Sequence, residues 1–153
     1  MTVAPAETAE YLISSNTVPS SAARGLAILD LDRAGTGRPI AVIFFASGSA
    51  RLSANDQVVL GKVAEVQLAG GGTLRVVGHA SSPTNAKNLV GQRLINFEVS
   101  LDRASAATEE LVRHGVPAAA VHSDAVSANR PVIDESLPGG EASNRRVEIF
   151  LDY

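Results

Sequence analysis

Ser53-Ala54-Asn55-Asp56-Gln57-Val58-Val59-Leu60-Gly61-Lys62-Val63-Ala64-Glu65-Val66-Gln67-Leu68-Ala69-Gly70-Gly71-Gly72-Thr73-Leu74-Arg75-Val76-Val77-Gly78-His79 reads as a helix, a stop and a strand. Ser53 can accept an orphan N–H of the first turn, and Asp56, three places on, suits the positive end of a helix. Val59, Leu60, Val63 and Val66 then recur at spacings near three and four, which draws one apolar stripe. Gly70-Gly71-Gly72 ends it. A triple glycine can cradle a phosphate, but no GxxxxGK[ST] pattern accompanies it, so it is a turn. The run Thr73–His79 has strand length and composition.

Working outward, Pro39-Ile40-Ala41-Val42-Ile43-Phe44-Phe45 is a continuous apolar run, as in a strand covered on both faces. A strand, a helix and a strand over this length predict a right-handed crossover and parallel pairing. Upstream, residues 1–25 are rich in Ala, Ser, Thr and Pro and read as a tether, with a short helix around Glu7–Ile13. Leu26–Leu31 offers an extra strand. Downstream, Ser81-Ser82-Pro83-Thr84-Asn85 opens a loop, and Leu89–Ile95 is ambiguous between loop and helix. A clear helix runs from Phe97 to Arg113, with Val99, Arg103, Ala107 and Leu111 at every fourth place and Ala104 alongside. Gly115 and Pro117 terminate it in the expected order. Val121–Val126 is a further strand, Asn129–Ser143 a long polar loop, and Val147–Leu151 a strand that closes the sheet. The order βαβαββ predicts an α/β (α+β) two-layer sandwich, with two main helices on a mixed sheet. The division is a lead-in over residues 1–37 and one domain over 38–153.

Composition narrows the function. Apolar residues make up 45% of the 153, enough for a core, yet no run is long enough to span a bilayer. Net charge is −3 and the basic residues are scattered apart from Arg145-Arg146, which argues against nucleic acid. There is no tryptophan, and aromatic residues are 4%, so stacking platforms for sugars or bases are not expected. The absence of cysteine removes thiol catalysis, disulfides and thiolate metal sites. The start MTVAPAETAEY shows neither a basic-then-apolar leader nor a lipid-accepting cysteine, so an export signal or membrane anchor would lie outside this sequence.

Chemistry-bearing residues are few. His79, His114 and His122 lack ligand spacing, so neither metal nor cofactor is expected. Ser81, Ser82 and His79 lie close in sequence, but no G-x-S-x-G elbow or triad order supports a hydrolase, and no enzymatic activity is expected. His79 reads first as a loop-ordering hydrogen bonder. Arg103 sits on an otherwise apolar helix stripe, where it either snorkels over the core or meets a ligand. Asn96 is either a helix cap or a ligand contact. Arg145 and Arg146 alternate across a strand, so one of them faces the helices. The other explanation for the pair is charge protection of a sheet edge.

Five stretches together resemble the OmpA-like family of peptidoglycan-binding domains, which includes peptidoglycan-associated lipoproteins and flagellar stator wall anchors. They are Ile43-Phe44-Phe45-Ala46-Ser47-Gly48-Ser49-Ala50-Arg51-Leu52, Val76-Val77-Gly78-His79-Ala80-Ser81, Asn96-Phe97-Glu98-Val99-Ser100-Leu101-Asp102-Arg103-Ala104, His114-Gly115-Val116-Pro117, and Asn144-Arg145-Arg146-Val147-Glu148-Ile149. The second is similar to the family's G-H-[TA]-D site loop, the third to its N-x-x-L-S-x-x-R-A helix, and the last to its N-R-R-V-E strand.

The resemblance implies noncovalent attachment of an envelope protein to peptidoglycan, on the periplasmic side of the bacterial outer membrane, through the diaminopimelate of the stem peptide. It places the ligand against Arg103, His79, Ala80, Ser81, Ser82, Asn96 and Arg145. In the family the helix arginine grips a carboxylate with its planar fork, and the loop aspartate grips the ammonium on the same carbon. Arg103 matches the arginine, whereas Ser81 stands where the aspartate belongs. Losing that charge-assisted bond costs roughly 1.5–3 kcal/mol, about 10- to 100-fold in affinity. Asp102 is a poor substitute, since it points about 100° away from Arg103 on a helix. Asn96 also follows Ser81 by fifteen positions, more than the family spacing, and the extra residues, Lys87, Asn88 and Arg93 among them, can reshape or cover the pocket. The second function compatible with the resemblance is an interaction or structural module, with envelope proteins as partners and wall binding altered or lost.

Overall fold

The computed structural model describes residues 26–81, 89–126 and 143–153. Its elements run in the order β1 (Ile28–Leu29), β2 (Ala41–Phe44), α1 (Ala54–Gly70), β3 (Thr73–Gly78), α2 (Leu89–Arg113), β4 (Val121–Ala125) and β5 (Arg146–Asp152). Short 3₁₀ turns at Leu31–Arg33 and Ala118–Ala120 precede β2 and β4. The Glu7–Ile13 helix, Ser82 and most of the polar loop after Val126 lie outside the described residues.

The strands form one mixed sheet in the order β1-β2-β5-β3-β4. β3 and β4 pair in parallel, and every other neighbour is antiparallel. This corrects two expectations. β2 and β3 run in the same direction but do not pair, because β5 lies between them. The last strand therefore occupies the middle of the sheet rather than closing an edge. Its alternation explains the placement. Val147, Ile149 and Leu151 are essentially fully buried beneath the helices, while Arg146, Glu148, Phe150 and Asp152 point to the other face. The extra strand also forms, trimmed to β1, and Ala27 and Leu29 join the core.

Local signals place α1 well. Ser53 Oγ accepts the Asp56 N–H at 3.0 Å, and Asp56 Oδ2 accepts the Ser53 N–H at 2.8 Å, a reciprocal capping box. Burial pushes the Asp56 carboxyl up despite these bonds. Val59, Leu60, Val63 and Ala64 face the sheet, while Val66 is only partly buried and Gln67 takes the buried place beside it, donating to Gly72 O at 3.0 Å.

The second helix is longer than its apolar stripe predicted. α2 begins at Leu89, so the stretch Leu89–Ile95, ambiguous between loop and helix in the sequence, is helix. Where it crosses β3 its buried face carries the small residues Ser100, Ala104 and Ala107, followed by Leu111. These let the helix lie close against β3 at Gly78, whose missing side chain leaves room for the Ser100 carbonyl. At the far end Gly115 adopts a φ of 106°, its N–H reaching Val112 O and that of Val116 reaching Leu111 O. This is the left-handed glycine termination that the Gly115–Pro117 signal predicted. No described helix is long and apolar enough to cross a membrane.

Candidate functional site

Three chain segments meet at the end of the sheet where β2 and β3 leave it. The loop after β2 carries Ala46-Ser47-Gly48-Ser49, the exit of β3 carries His79-Ala80-Ser81, and the first half of α2 lies across both. Between them is a hollow of about 210 Å³. Gln92, Asn96, Val99 and Arg103 line it from the helix, Ser47 and Gly48 from one loop, Ala80 and Ser81 from the other. Arg145, immediately before β5, completes the wall. Arg103, Asn96, Ala80, Ser81 and Arg145 of the sequence-derived set thus come together.

Arg103 differs from the projecting side chain that a ligand-gripping role suggests. Only 1% of it is exposed. Its guanidinium donates from Nε to Ser49 O at 2.8 Å, from Nη1 to His79 O at 3.0 Å, and from Nη2 to Ala46 O at 3.2 Å. One side chain therefore ties both loops to α2. It also lies over the Phe45 ring at 5.3 Å from the centroid. The three acceptors are neutral carbonyls, and among the described residues no carboxylate pairs with Arg103. Three of its five N–H groups are committed to these carbonyls, and the residue lines the hollow. Burial, aided by the neighbouring charge of Arg145, lowers its pKa to about 10, so it is still a cation at neutral pH.

The tandem arginines divide. Arg145 donates from Nε to Phe45 O at 2.9 Å and faces the hollow. Arg146 is buried on the opposite face of the sheet, 3.3 Å from Glu148 Oε2. Edge protection is not their role, since β5 is central. His79 contributes to the site through its backbone. Its carbonyl accepts from Arg103, while its ring Nε2 lies 2.9 Å from Glu148 Oε1, away from Ser81. That geometry disfavours the Ser-His reading. Asn96 is not a cap. It stands inside α2, buried, with Oδ1 accepting from Gln92 Nε2 at 2.9 Å.

The His79–Glu148–Arg146 cluster braces the floor of the site. Burial raises the Glu148 pKa, but the His79 hydrogen bond and the charges of Arg146 and His79 outweigh it, leaving the carboxyl below its ordinary 4.5. A lowered carboxyl contributes stability that is present above 4.5 and is lost as pH falls through the native value. Glu148→Gln is expected to cost about 1.5–3 kcal/mol at pH 7. The gap from the parent chain should close below pH 4.5 in urea titrations run across pH. A gap that stays constant into acid would remove Glu148 from this account.

Sequence reasoning missed Gln92, Ile95 and Val99 as lining residues. Helical spacing carries the signal, because Gln92, Asn96, Val99 and Arg103 fall four, three and four apart on one face. Among the described residues no group of three metal-ligating side chains comes together.

A family model described as the OmpA family matches residues 44–145. The structure is similar to the OmpA-like domain of FopA1 from Francisella tularensis, with a TM-score of 0.65 and 16% identity over 91% of this chain and 86% of that one. It is also similar to the peptidoglycan-associated lipoprotein from Burkholderia pseudomallei, with a TM-score of 0.61 and 18% identity over 75% of this chain and 90% of that one. The cell wall anchor of the T6SS from Pseudomonas aeruginosa shares 27% identity, with a TM-score of 0.59, over 73% of this chain and 80% of that one. No curated protein sequence matches the chain.

Proposed function

We propose, from the premise that this chain belongs to the OmpA family, that it binds peptidoglycan noncovalently and anchors an envelope protein to the cell wall. Residues 38–153 are the binding unit, with β1 packed onto the same sheet, and the chain ahead of β1 is the tether. One observation carries this reading. Arg103, a buried guanidinium without a carboxylate partner among the described residues, forms the wall of an open hollow. A buried cation that lacks a counterion gains most from an anion that arrives with the ligand. A carboxylate of the stem peptide supplies that anion and takes the two N–H groups left over.

Members of the family typically bind peptidoglycan, and two similar structures are a peptidoglycan-associated lipoprotein and a cell wall anchor. The module works on the wall-facing side of the envelope, by binding rather than turnover. Ser81, Ala80 and Asn96 shape the pocket around the carboxylate, and Arg145 adds a second positive charge at its side.

The test is co-sedimentation of the chain with purified diaminopimelate-type sacculi, with and without a soluble stem peptide as competitor. Retention in the pellet, reversed by the peptide, is the expected result. A chain that stays in the supernatant at micromolar concentration, with sacculi in excess, would leave the fold to serve a protein partner instead.

A further inference from the structure

The hollow has an unusual charge balance. The charged side chains among its described lining residues are Arg103 and Arg145, and both are cations. The neutral ones include Ser47, Ser81, Gln92 and Asn96. The sequence has no Asp or Glu between Glu65 and Glu98, so neither the loop after β3 nor the first two turns of α2 carries an anion. Glu148 is near in sequence to Arg145, but its carboxylate is held on the other face of the sheet by His79 and Arg146, and Asp134, Glu135 and Glu141 lie outside the described residues.

A free amino-acid zwitterion fits such a site poorly. Its carboxylate is attracted to the guanidiniums, but that same docking holds its ammonium a few ångströms from two like charges. Converting the ammonium to an amide removes the repulsion and leaves an N–H that a neutral oxygen such as Ser81 Oγ can accept. Building on the wall-binding reading, we infer that the hollow selects an N-acylated amino-acid carboxylate over the free zwitterion. Besides the α-carboxylate of the γ-linked glutamyl residue, a peptidoglycan stem carries this group in two places. One is a diaminopimelate whose side-chain amine has been acylated in a cross-link, and the other is the chain terminus of the stem.

Calorimetric titration of the full chain with four synthetic stem tripeptides tests this. One carries a free diaminopimelate side-chain amine and one the acetylated amine. The other two are acetylated and have either the adjacent or the chain-terminal carboxylate converted to amide. Acetylation is expected to raise affinity by roughly threefold or more, the scale of a like-charge repulsion near a protein surface. Amidation of one carboxylate should cost tenfold or more. Loss at the adjacent position assigns the cross-link as the source, and loss at the terminal position assigns the chain end. Ser81→Asp should reverse the preference, favouring the free amine by about tenfold. Binding by the parent chain that is unchanged or weaker on acetylation overturns the selectivity while leaving wall binding in place. If no peptide binds and sacculi are not retained, the wall-binding reading falls and this inference falls with it.

Discussion

Gly78→Ala is expected to destabilise the chain by about 3–5 kcal/mol, at the severe end for a single added methyl group. The reason is contact with backbone. A Cβ at residue 78 would stand 2.0 Å from the Ser100 carbonyl oxygen, 2.9 Å from its carbon and 3.1 Å from Ala104 Cβ. No rotamer change relieves this, because the first two atoms belong to the frame of α2. The helix must move away from β3 by roughly an ångström, which unseats Ala104, Ala107 and Leu111 from the core. Native domains hold only about 5–15 kcal/mol in total, so the change removes much of that margin. Gly61→Ala is the matched control. There the added methyl meets the ring of His114 at 3.1 Å, a partly exposed side chain that can turn aside, and alanine is the better helix former. Urea midpoints should fall sharply for the first variant and stay level or rise for the second. Equal midpoints for Gly78→Ala and its parent would mean that α2 and β3 do not approach as described.

The same close approach explains which parts of the molecule the sequence made legible. Element ends are written locally, so Ser53 with Asp56 and Gly115 with Pro117 announce the two helix termini by themselves. Strand partners are not local. The alternation of Val147, Ile149 and Leu151 tells which face is buried, but nothing in those residues says that β5 enters between β2 and β3. The start of α2 was ambiguous for a different reason. Val90 and Leu94 are 80 and 60% exposed, whereas the polar Gln92 and Asn96 turn toward the hollow. Apolar outside and polar inside inverts the pattern from which helices are normally recognised. The identity of Arg103 was legible, but its depth was not. Position on a stripe says that a side chain faces inward, while only the carbonyls of Ala46, Ser49 and His79 fix where its guanidinium comes to rest.

That depth gives Arg103 two roles, and substitutions can separate them. Arg103→Met retains most of the side chain's length and removes the charge and every donor. Three carbonyls then lose the arginine as donor, and Ala46 O still accepts the Ser49 N–H at 3.1 Å. An unsatisfied buried acceptor costs about 1–3 kcal/mol, but water entering from the hollow compensates part of this, and an unpaired buried cation is relieved. The net expectation is a loss of about 2–4 kcal/mol. Wall binding should fall by about 100-fold or more, because two charge-assisted bonds to the ligand carboxylate go at once. Arg103→Lys keeps a charge on a single nitrogen that cannot span three separate carbonyls, so stability should drop nearly as far while some binding survives. Arg145→Met gives the complementary case. Its side chain donates to one carbonyl, Phe45 O, and is not fully buried, so binding should weaken by about tenfold with a small change in stability. Sedimentation with sacculi and urea midpoints, measured on the same preparations, give both readouts. Amide NMR spectra of each variant verify that it is folded at the assay temperature. If a folded Arg103→Met chain pellets with sacculi as the parent does, the arginine serves only to join the loops, and the ligand must lie elsewhere.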